Sequence, residues 1–108
     1  MIRAPEADLT YAVLRSAWLP QADLTGADLS NADLTGADLN NSVLTGAHLR
    51  GARLGRANLI NVKLTRADLT GADLRGANLL GAALDDATLT GADTTGAKMP
   101  VSPDGPPR

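Results

Sequence analysis

Leucine stands at every fifth position from residue 9 to residue 89, seventeen times without interruption, and alanine stands two residues before almost every one. The pattern divides residues 7–101 into nineteen five-residue units, with alanine at the first place and leucine at the third. Alanine takes the first place in seventeen of the units, and only Ser42 and Val62 depart from it. The chain is therefore one repeat array over nearly its whole length.

A five-residue period fits neither a long α-helix nor an unbroken β-strand. On a helix, each leucine would lie about 140° around the axis from the one before, so the leucines would define no buried face. In a strand, residues five apart point to opposite faces, whereas an alanine and a leucine two apart point to the same face. Each unit must therefore contain a bend that returns alanine and leucine to one interior and leaves the other three places facing water.

The fifth place of the unit can supply this bend. It holds glycine nine times and asparagine three times, and these residues adopt left-handed backbone angles at the least cost. Threonine, serine or asparagine often stands just before it, and short polar side chains can bond backbone groups in turns. We therefore expect a corner in each unit.

The units ADLTG at 22–26 and 32–36, GADLR at 71–75 and ADLS at 27–30 resemble the A(D/N)LxG signature of the pentapeptide repeat family. The resemblance implies an all-β fold, a right-handed quadrilateral β-helix (β-solenoid) with four units in each coil. Leucine and alanine would stack inside it, and backbone hydrogen bonds would join the coils. Nineteen units would make about four and three-quarter coils, a rod roughly 23 Å long at the ~4.8 Å spacing of strands.

Stacked leucines must supply the core, because the chain has one Trp, one Tyr and no Phe. Burial of a leucine stabilises a fold by roughly 1.5–3 kcal/mol as an upper estimate, and in a solenoid this stability accumulates along the axis. The predicted core consists of Leu29, Leu34, Leu39, Leu44, Leu49, Leu54, Leu59, Leu64, Leu69 and Leu74.

Proline-containing segments flank the array. Residues 1–6 are predicted to form an N-terminal cap segment, residues 7–101 the β-helix, and residues 102–108 a flexible proline-rich tail. The sequence has no cysteine, no signal-peptide pattern and no apolar run long enough to span a membrane. We therefore expect a cytoplasmic protein without membrane association.

Function is expected at the outward places, because the inward ones hardly vary along the chain. With four units in each coil, residues twenty apart stack directly, so the second-place side chains form four columns. These columns are Asp8, Asp28, His48 and Asp68; Val13, Asp33, Arg53, Asp73 and Asp93; Trp18, Asp38, Asn58, Asn78 and Lys98; and Asp23, Val43, Lys63 and Ala83.

Charge is banded along the axis, although the formal net charge is only -2. Residues 16–49 contain acids and no lysine or arginine, residues 40–66 contain bases and no acid, and acids predominate after that. The rod is therefore expected to be negative toward both ends, with a positive belt in its third coil.

The belt has two interpretations. One is charge compensation, with Arg53 between Asp33 and Asp73 in its column and Arg66 stacked on Asp86. The other is a polarity pattern that selects the surface of a partner or orders molecules end to end.

The resemblance also implies an alternative function. Some members of the family, the quinolone-resistance proteins, resemble a DNA duplex in size and negative surface and bind DNA gyrase in its place. Such mimicry needs a continuous acidic face, and here Arg50, Arg53 and Lys63 interrupt the acidic columns. In a DNA-mimicking modulator of a type II topoisomerase, the contact residues would be Asp28, Asp33, Asp38, Asp68, Asp73 and Asp93.

The sequence predicts no enzyme and no catalytic, cofactor-binding or metal site. His48 lies between Asp28 and Asp68 in its column, but neither a nucleophile nor a cleft accompanies it. One edge of a rod offers too few converging ligands for calcium or zinc. The bases are spread over all four faces without interleaved aromatic residues, so direct nucleic-acid binding is not expected.

The third face of the rod is apolar and weakly charged. Its fourth-place column contains Ile60, Leu80 and Pro100, and Trp18 lies at one end as an aromatic anchor of the kind that interfaces favour. We therefore predict a non-enzymatic protein-binding or scaffold module that uses these four residues. Its partner would be another protein or a second copy in a homodimer. A structural spacer from a larger protein is a third possibility.

Overall fold

The computed structural model describes residues 2–101. Within that range the chain forms no helix and no strand longer than one residue, and it consists of single parallel bridges separated by turns. Each bridge joins residues twenty positions apart, from Arg3 and Asp23 to Asn78 and Lys98. One coil therefore takes four five-residue units, and successive coils stack in parallel. The predicted tail at 102–108 lies outside the described residues.

The corners lie where the sequence predicts them. Every fifth-place residue from Glu6 to Gly96 has a positive φ, between 55° and 74°. The first-place N–H of the next unit donates to the leucine C=O three residues earlier, as from Ala27 to Leu24 at 3.0 Å. Positive φ at the third residue of such a turn is typical of type II. The corner forms even at fifth places without Gly or Asn, such as Tyr11, whose φ is 60°.

Backbone hydrogen bonds join each unit to the coils on both sides. The third-place N–H donates to the second-place C=O of the next coil, as from Leu29 to His48 at 2.7 Å. The fifth-place N–H donates to the fourth-place C=O of the next coil, and the second-place N–H donates back to the first-place C=O of the previous coil. A unit thus satisfies its backbone between coils although it lacks an extended strand.

Leucine and alanine fill the interior. All ten leucines predicted for the core are at most 2% exposed, and the buried series runs from Ala22 to Ala82. Leucines nearer the ends, such as Leu14 and Leu89, are only partly buried against this core. The interior is therefore most complete where a coil has neighbours on both sides.

Ser42 is the one buried polar residue within residues 2–101, at a place that alanine holds elsewhere. Its hydroxyl donates to the C=O of Leu19 at 2.8 Å and accepts from the N–H of Ala22 at 3.0 Å. At the other corners these two backbone groups bond each other directly. Ser42 therefore completes a turn that has opened.

The first described unit continues the pattern of the array. Arg3 bridges Asp23, and Glu6 has a φ of 58°. Residues 2–6, assigned from the sequence to a cap segment, thus carry the same bridge and corner as later units. The division of the chain into cap, array and tail stays a prediction.

Candidate interaction surfaces

The second-place side chains stack in four columns, one on each face of the coil. Parallel bridges join the successive members of every column that the sequence predicts. The first column continues to Thr88, and the fourth begins at Arg3. The outward surface can therefore be described column by column.

Second-place Asp and Asn side chains are bound by their own turns. In all ten units that carry them, Oδ1 accepts a hydrogen bond of 3.0–3.1 Å from the N–H two residues later. A threonine there also donates its hydroxyl to the same oxygen, as Thr35 does to Asp33 at 2.6 Å. As a result the Asp33 side chain is only 19% exposed. This role of the aspartates was not predicted, although the repeated Asp-x-Thr spacing signals it.

These hydrogen bonds keep the column carboxylates ionised. The Thr35 hydroxyl and N–H lower the pKa of Asp33 to about 2, and the Arg75 guanidinium and N–H lower the pKa of Asp73 to about 2. Bonds from the residue two positions later are the main cause of a lowered pKa at five further acids. These are Asp23, Asp28, Asp38, Asp68 and Asp93.

Arginine at the fourth place pairs with the second-place acid of the next coil, eighteen residues later. The pairs are Arg15 with Asp33 at 3.1 Å, Arg50 with Asp68 at 3.5 Å and Arg75 with Asp93 at 3.9 Å. Arg75 also binds Asp73 of its own unit with two nitrogens, at 2.8 and 2.9 Å. All three arginines are exposed, so each pair contributes little to the stability of the fold.

Direct ion pairs therefore join other residues than the stacked ones. Arg53 stacks between Asp33 and Asp73 as expected, and its charge helps to lower the pKa of Asp73. Arg53 and Arg66 form no ion pair with the described residues. For Arg53 the reason is the turn hydrogen bond, which draws each second-place carboxylate toward the fourth place. An arginine at the fourth place of an adjacent coil then lies closer to it than one in its own column.

The six acids proposed for DNA mimicry do not share one face. Asp28 and Asp68 lie in the first column on either side of His48, and Asp38 lies in the third. The other three, Asp33, Asp73 and Asp93, share the second column with Arg53. Arginines pair with Asp68 and with all three acids of the second column, so the negative surface is interrupted.

The residues predicted for protein binding do share the third face. Trp18 is 77% and Leu80 is 43% exposed, whereas Ile60 and Pro100 are partly buried. Trp18 and Pro20 line a hollow of about 460 Å³ together with Ile2, Leu19 and Gln21. The apolar surface is therefore densest at the first coil.

Two further exposed apolar residues in the first coil were not predicted. Tyr11 is 73% and Val13 is 77% exposed. They occupy a fifth and a second place, where glycine, asparagine or aspartate is common in later coils. That departure from the repeat was the signal that could have identified them.

The described residues contain no group of three side chains suited to a metal ion. In that same part of the chain no helix is long and apolar enough to cross a membrane. His48 bridges Asp28 and Asp68 through its backbone, as the columns predict.

A protein-family model matches nearly the whole repeat array, and several solved structures are similar to the chain. The family model described as pentapeptide repeats matches in eight copies, over residues 7–46, 42–79 and 67–99. Rfr23 from the cyanobacterium Cyanothece 51142 is 28% identical, with 91% of this chain and 84% of that chain covered and a TM-score of 0.46. A pentapeptide repeat protein from the Arabidopsis thaliana thylakoid lumen is 28% identical, with 93% and 68% covered and a TM-score of 0.48.

A third solved structure is QnrB1, a plasmid-mediated fluoroquinolone resistance protein. It is 26% identical, with 83% of this chain and 47% of that chain covered and a TM-score of 0.43. Among curated proteins no sequence matches significantly.

Proposed function

The chain belongs to the pentapeptide repeat family, and we propose that it is a non-enzymatic protein-binding module whose contact surface is the third face. The proposed form of the array is a right-handed quadrilateral β-helix of about four and three-quarter coils, from nineteen units at four per coil. A convex rod of this kind suits docking of a protein better than enclosure of a substrate, which calls for a concave pocket.

The observation that carries the proposal is an exposed tryptophan on the face with the fewest charges. Trp18 projects into solvent at one end of this face, and Leu80 is exposed farther along. Among the outward residues of the face only Asp38 and Lys98 are charged, and Asn40 already binds Asp38 through its N–H and its side-chain amide. Interface centres are depleted in charge and enriched in aromatic residues.

The simplest partner for this face is a second copy of the chain. A two-fold pair would bring the same patch of both molecules together, because an isologous interface is self-complementary. The flat stack of Ile60, Leu80 and Pro100 allows such a face-to-face arrangement without any additional element.

The test is sedimentation of the double variant Ile60→Asp, Leu80→Asp. We expect it to be monomeric under conditions where the native protein pairs, because two carboxylates would have to lose water in the contact. Its circular dichroism should match the native spectrum, since neither side chain belongs to the buried core. The matched control is Thr45→Asp, Thr65→Asp, which makes the same charge change at fourth places of the fourth face and should leave association unchanged.

A native protein that sediments as a monomer at high micromolar concentration would show that self-association through this face is wrong. Binding to a different protein would then have to be shown directly, and the same double variant should weaken it while the control variant does not. Equal effects of the two double variants would contradict a specific contact at the third face.

One observation favours DNA mimicry as a second function. Asp8 and Asp28 are neighbours in the first column, form no ion pair with the described residues, and the bonds from Ser30 lower the pKa of Asp28. Arginine pairs at the other acidic columns weigh against it, because a paired carboxylate is a poor substitute for a phosphate. We therefore expect that the protein does not inhibit the supercoiling activity of DNA gyrase. Inhibition at stoichiometric amounts would favour DNA mimicry over protein binding by the third face.

A further inference from the structure

Two turns on the second face, at 12–16 and 52–56, have no carboxylate on the fourth-place N–H, because Val13 and Arg53 hold their second places. In the ten units with second-place Asp or Asn, the fourth-place N–H is bound by that side chain. In the unit 52–56 the second place is Arg53, and the Gly55 N–H makes no hydrogen bond within the described residues. The unit 52–56 thus retains the fourth-place N–H donor, but the cation Arg53 stands where the other units have an Asp or Asn acceptor.

Arginines surround this turn. A groove of about 550 Å³ beside Gly55 is lined by Arg15, Thr35, Arg53, Arg56, Asp73 and Arg75. Arg15 is paired with Asp33, and Arg75 with Asp73, so their charges are balanced locally. Arg53 and Arg56 form no ion pair with the described residues. These two are therefore the arginines of the groove without an ion pair, although Asp33 and Asp73 stack on either side of Arg53.

Glycines shape the groove between these arginines. Gly55 carries no side chain, and Gly36 and Gly76 are stacked on either side of Arg56 in the adjacent coils. A Cβ at Gly76 would lie 3.3 Å from Cγ of Arg56, so the stem of Arg56 lies across Gly76. Arg56 is thereby directed toward the coil that carries Arg75.

We propose that this groove is a binding site for a phosphomonoester dianion. One phosphate oxygen would accept from the Gly55 N–H, the position that a carboxylate oxygen takes in other units. Arg53 and Arg56 would neutralise the two charges of the phosphate, and guanidinium groups bind its oxygens through paired N–H donors. A single carboxylate carries only one negative charge for these two unpaired arginines.

The fourth face contains an internal comparison for this site. Lys63 and Arg66 flank Thr65 as Arg53 and Arg56 flank Gly55. The next coil carries Asp85 and Asp86 at the matching fourth and fifth places, whereas beyond Gly55 it carries Arg75 and Gly76. The coil after the fourth-face bases thus carries two acids at these places and the coil after Gly55 carries none, so binding is expected only at Gly55.

The experiment is titration of the full chain at constant ionic strength, with the backbone amides followed by NMR. The probes are inorganic phosphate, a phosphoserine peptide with its unphosphorylated form, and adenosine monophosphate. We expect the Gly55 amide to shift, and Arg53→Gln, Arg56→Gln to weaken binding by about tenfold or more. Lys63→Gln, Arg66→Gln should leave affinity within about twofold, because it removes the same charge outside the groove.

A second pair of variants tests the backbone donor alone. Gly55→Pro removes the N–H without changing charge, and proline already occupies the fourth place at Pro5, Pro20 and Pro100. Gly55→Ala retains the N–H, and its Cβ would have only an ordinary 3.6 Å contact with the Arg75 C=O. Binding should weaken several-fold in the proline variant and remain near native in the alanine variant.

The proposal is overturned if no probe shifts the Gly55 amide at millimolar concentration. It is overturned equally if the two double variants lose the same affinity, or if the unphosphorylated peptide binds as well as the phosphopeptide. Tighter binding of the phosphopeptide than of free phosphate and the nucleotide would identify a phosphorylated segment as the source. Equal affinities for the three phosphate-containing probes would show that the site recognises the phosphate group alone. Neither result depends on the third face.

Discussion

Ser42 illustrates at the scale of one residue how a buried hydroxyl can replace a backbone hydrogen bond. Its oxygen lies between the C=O of Leu19 and the N–H of Ala22, the groups that would otherwise close the turn. Val62, the other departure from alanine, lies twenty residues later at the same corner. The two exceptions to the repeat thus share one interior column, which the linear sequence shows only after the coil length is known.

We expect Ser42→Ala to lower the free energy of unfolding by about 1–3 kcal/mol, because a buried donor and a buried acceptor would both lose their partner. Denaturant unfolding followed by circular dichroism measures this. The control is Ala47→Ser at the next first place, where the Ala27 N–H already bonds Leu24 directly. A neutral Ser42→Ala together with a costly Ala47→Ser would mean that Leu19 and Ala22 close their turn without help.

At the scale of the five-residue unit, the fourth-place N–H links the residue types found at the second and fourth places. Where the second place is Asp or Asn, its side chain binds that N–H. Where proline takes the fourth place, the N–H is absent, and no acceptor is needed. Pro5, Pro20 and Pro100 accordingly follow Arg3, Trp18 and Lys98 at the second place, none of which is Asp or Asn.

This relation predicts opposite effects for two proline substitutions. Thr45→Pro should be neutral or stabilise the fold by about 0.4–1 kcal/mol, because Val43 offers no acceptor and proline restricts the unfolded chain. Thr35→Pro should destabilise it by about 1.5–3 kcal/mol, because Asp33 would lose bonds to its ionised oxygen. Thermal unfolding of the two variants side by side measures the difference. Similar stability of both variants would show that the side-chain bond contributes little.

The repeat period explains how much of the unit could be predicted. Parity places alanine and leucine inside and requires a bend in each unit, the glycines and asparagines place that bend at the fifth position, and both features are observed. The family resemblance adds the twenty-residue stacking, which the bridges show. Parity states only that an aspartate points outward, so it could not show that Asp33 turns sideways to bond Thr35.

At the scale of the whole molecule, the stacking of coils determines which side chains lie together on the surface. The column map correctly places Trp18 on the face of Ile60 and Leu80, because columns depend only on coil length. Ion pairing was harder to predict, because an arginine side chain is long enough to cross from one coil to the next. Arg15 therefore reaches Asp33 at an offset of eighteen residues, two short of the stacking distance. The groove beside Gly55 depends on those pairs, since they leave Arg53 and Arg56 as its two arginines without an ion pair.

Stability should also vary along the rod, because each coil is held only by its neighbours. Leu14 and Leu54 occupy the same interior column, but Leu54 is 1% exposed and Leu14 is only partly buried in the first coil. We expect Leu54→Ala to lower the free energy of unfolding by about 2–5 kcal/mol, because a central cavity has packed coils on both sides. Leu14→Ala should cost less than half as much in denaturant unfolding.

Hydrogen exchange distinguishes local opening of a terminal coil from opening of the whole array as the origin of that difference. In the Leu14→Ala variant, faster exchange should be confined to amides of the first coil and the coil bonded to it, because terminal coils can open without the rest. In the Leu54→Ala variant, protection should fall along the whole array, since opening the centre removes a neighbour from both halves. Uniform loss of protection in both variants would show that the array unfolds as one cooperative unit, and the nearest-neighbour description would then fail for a rod this short.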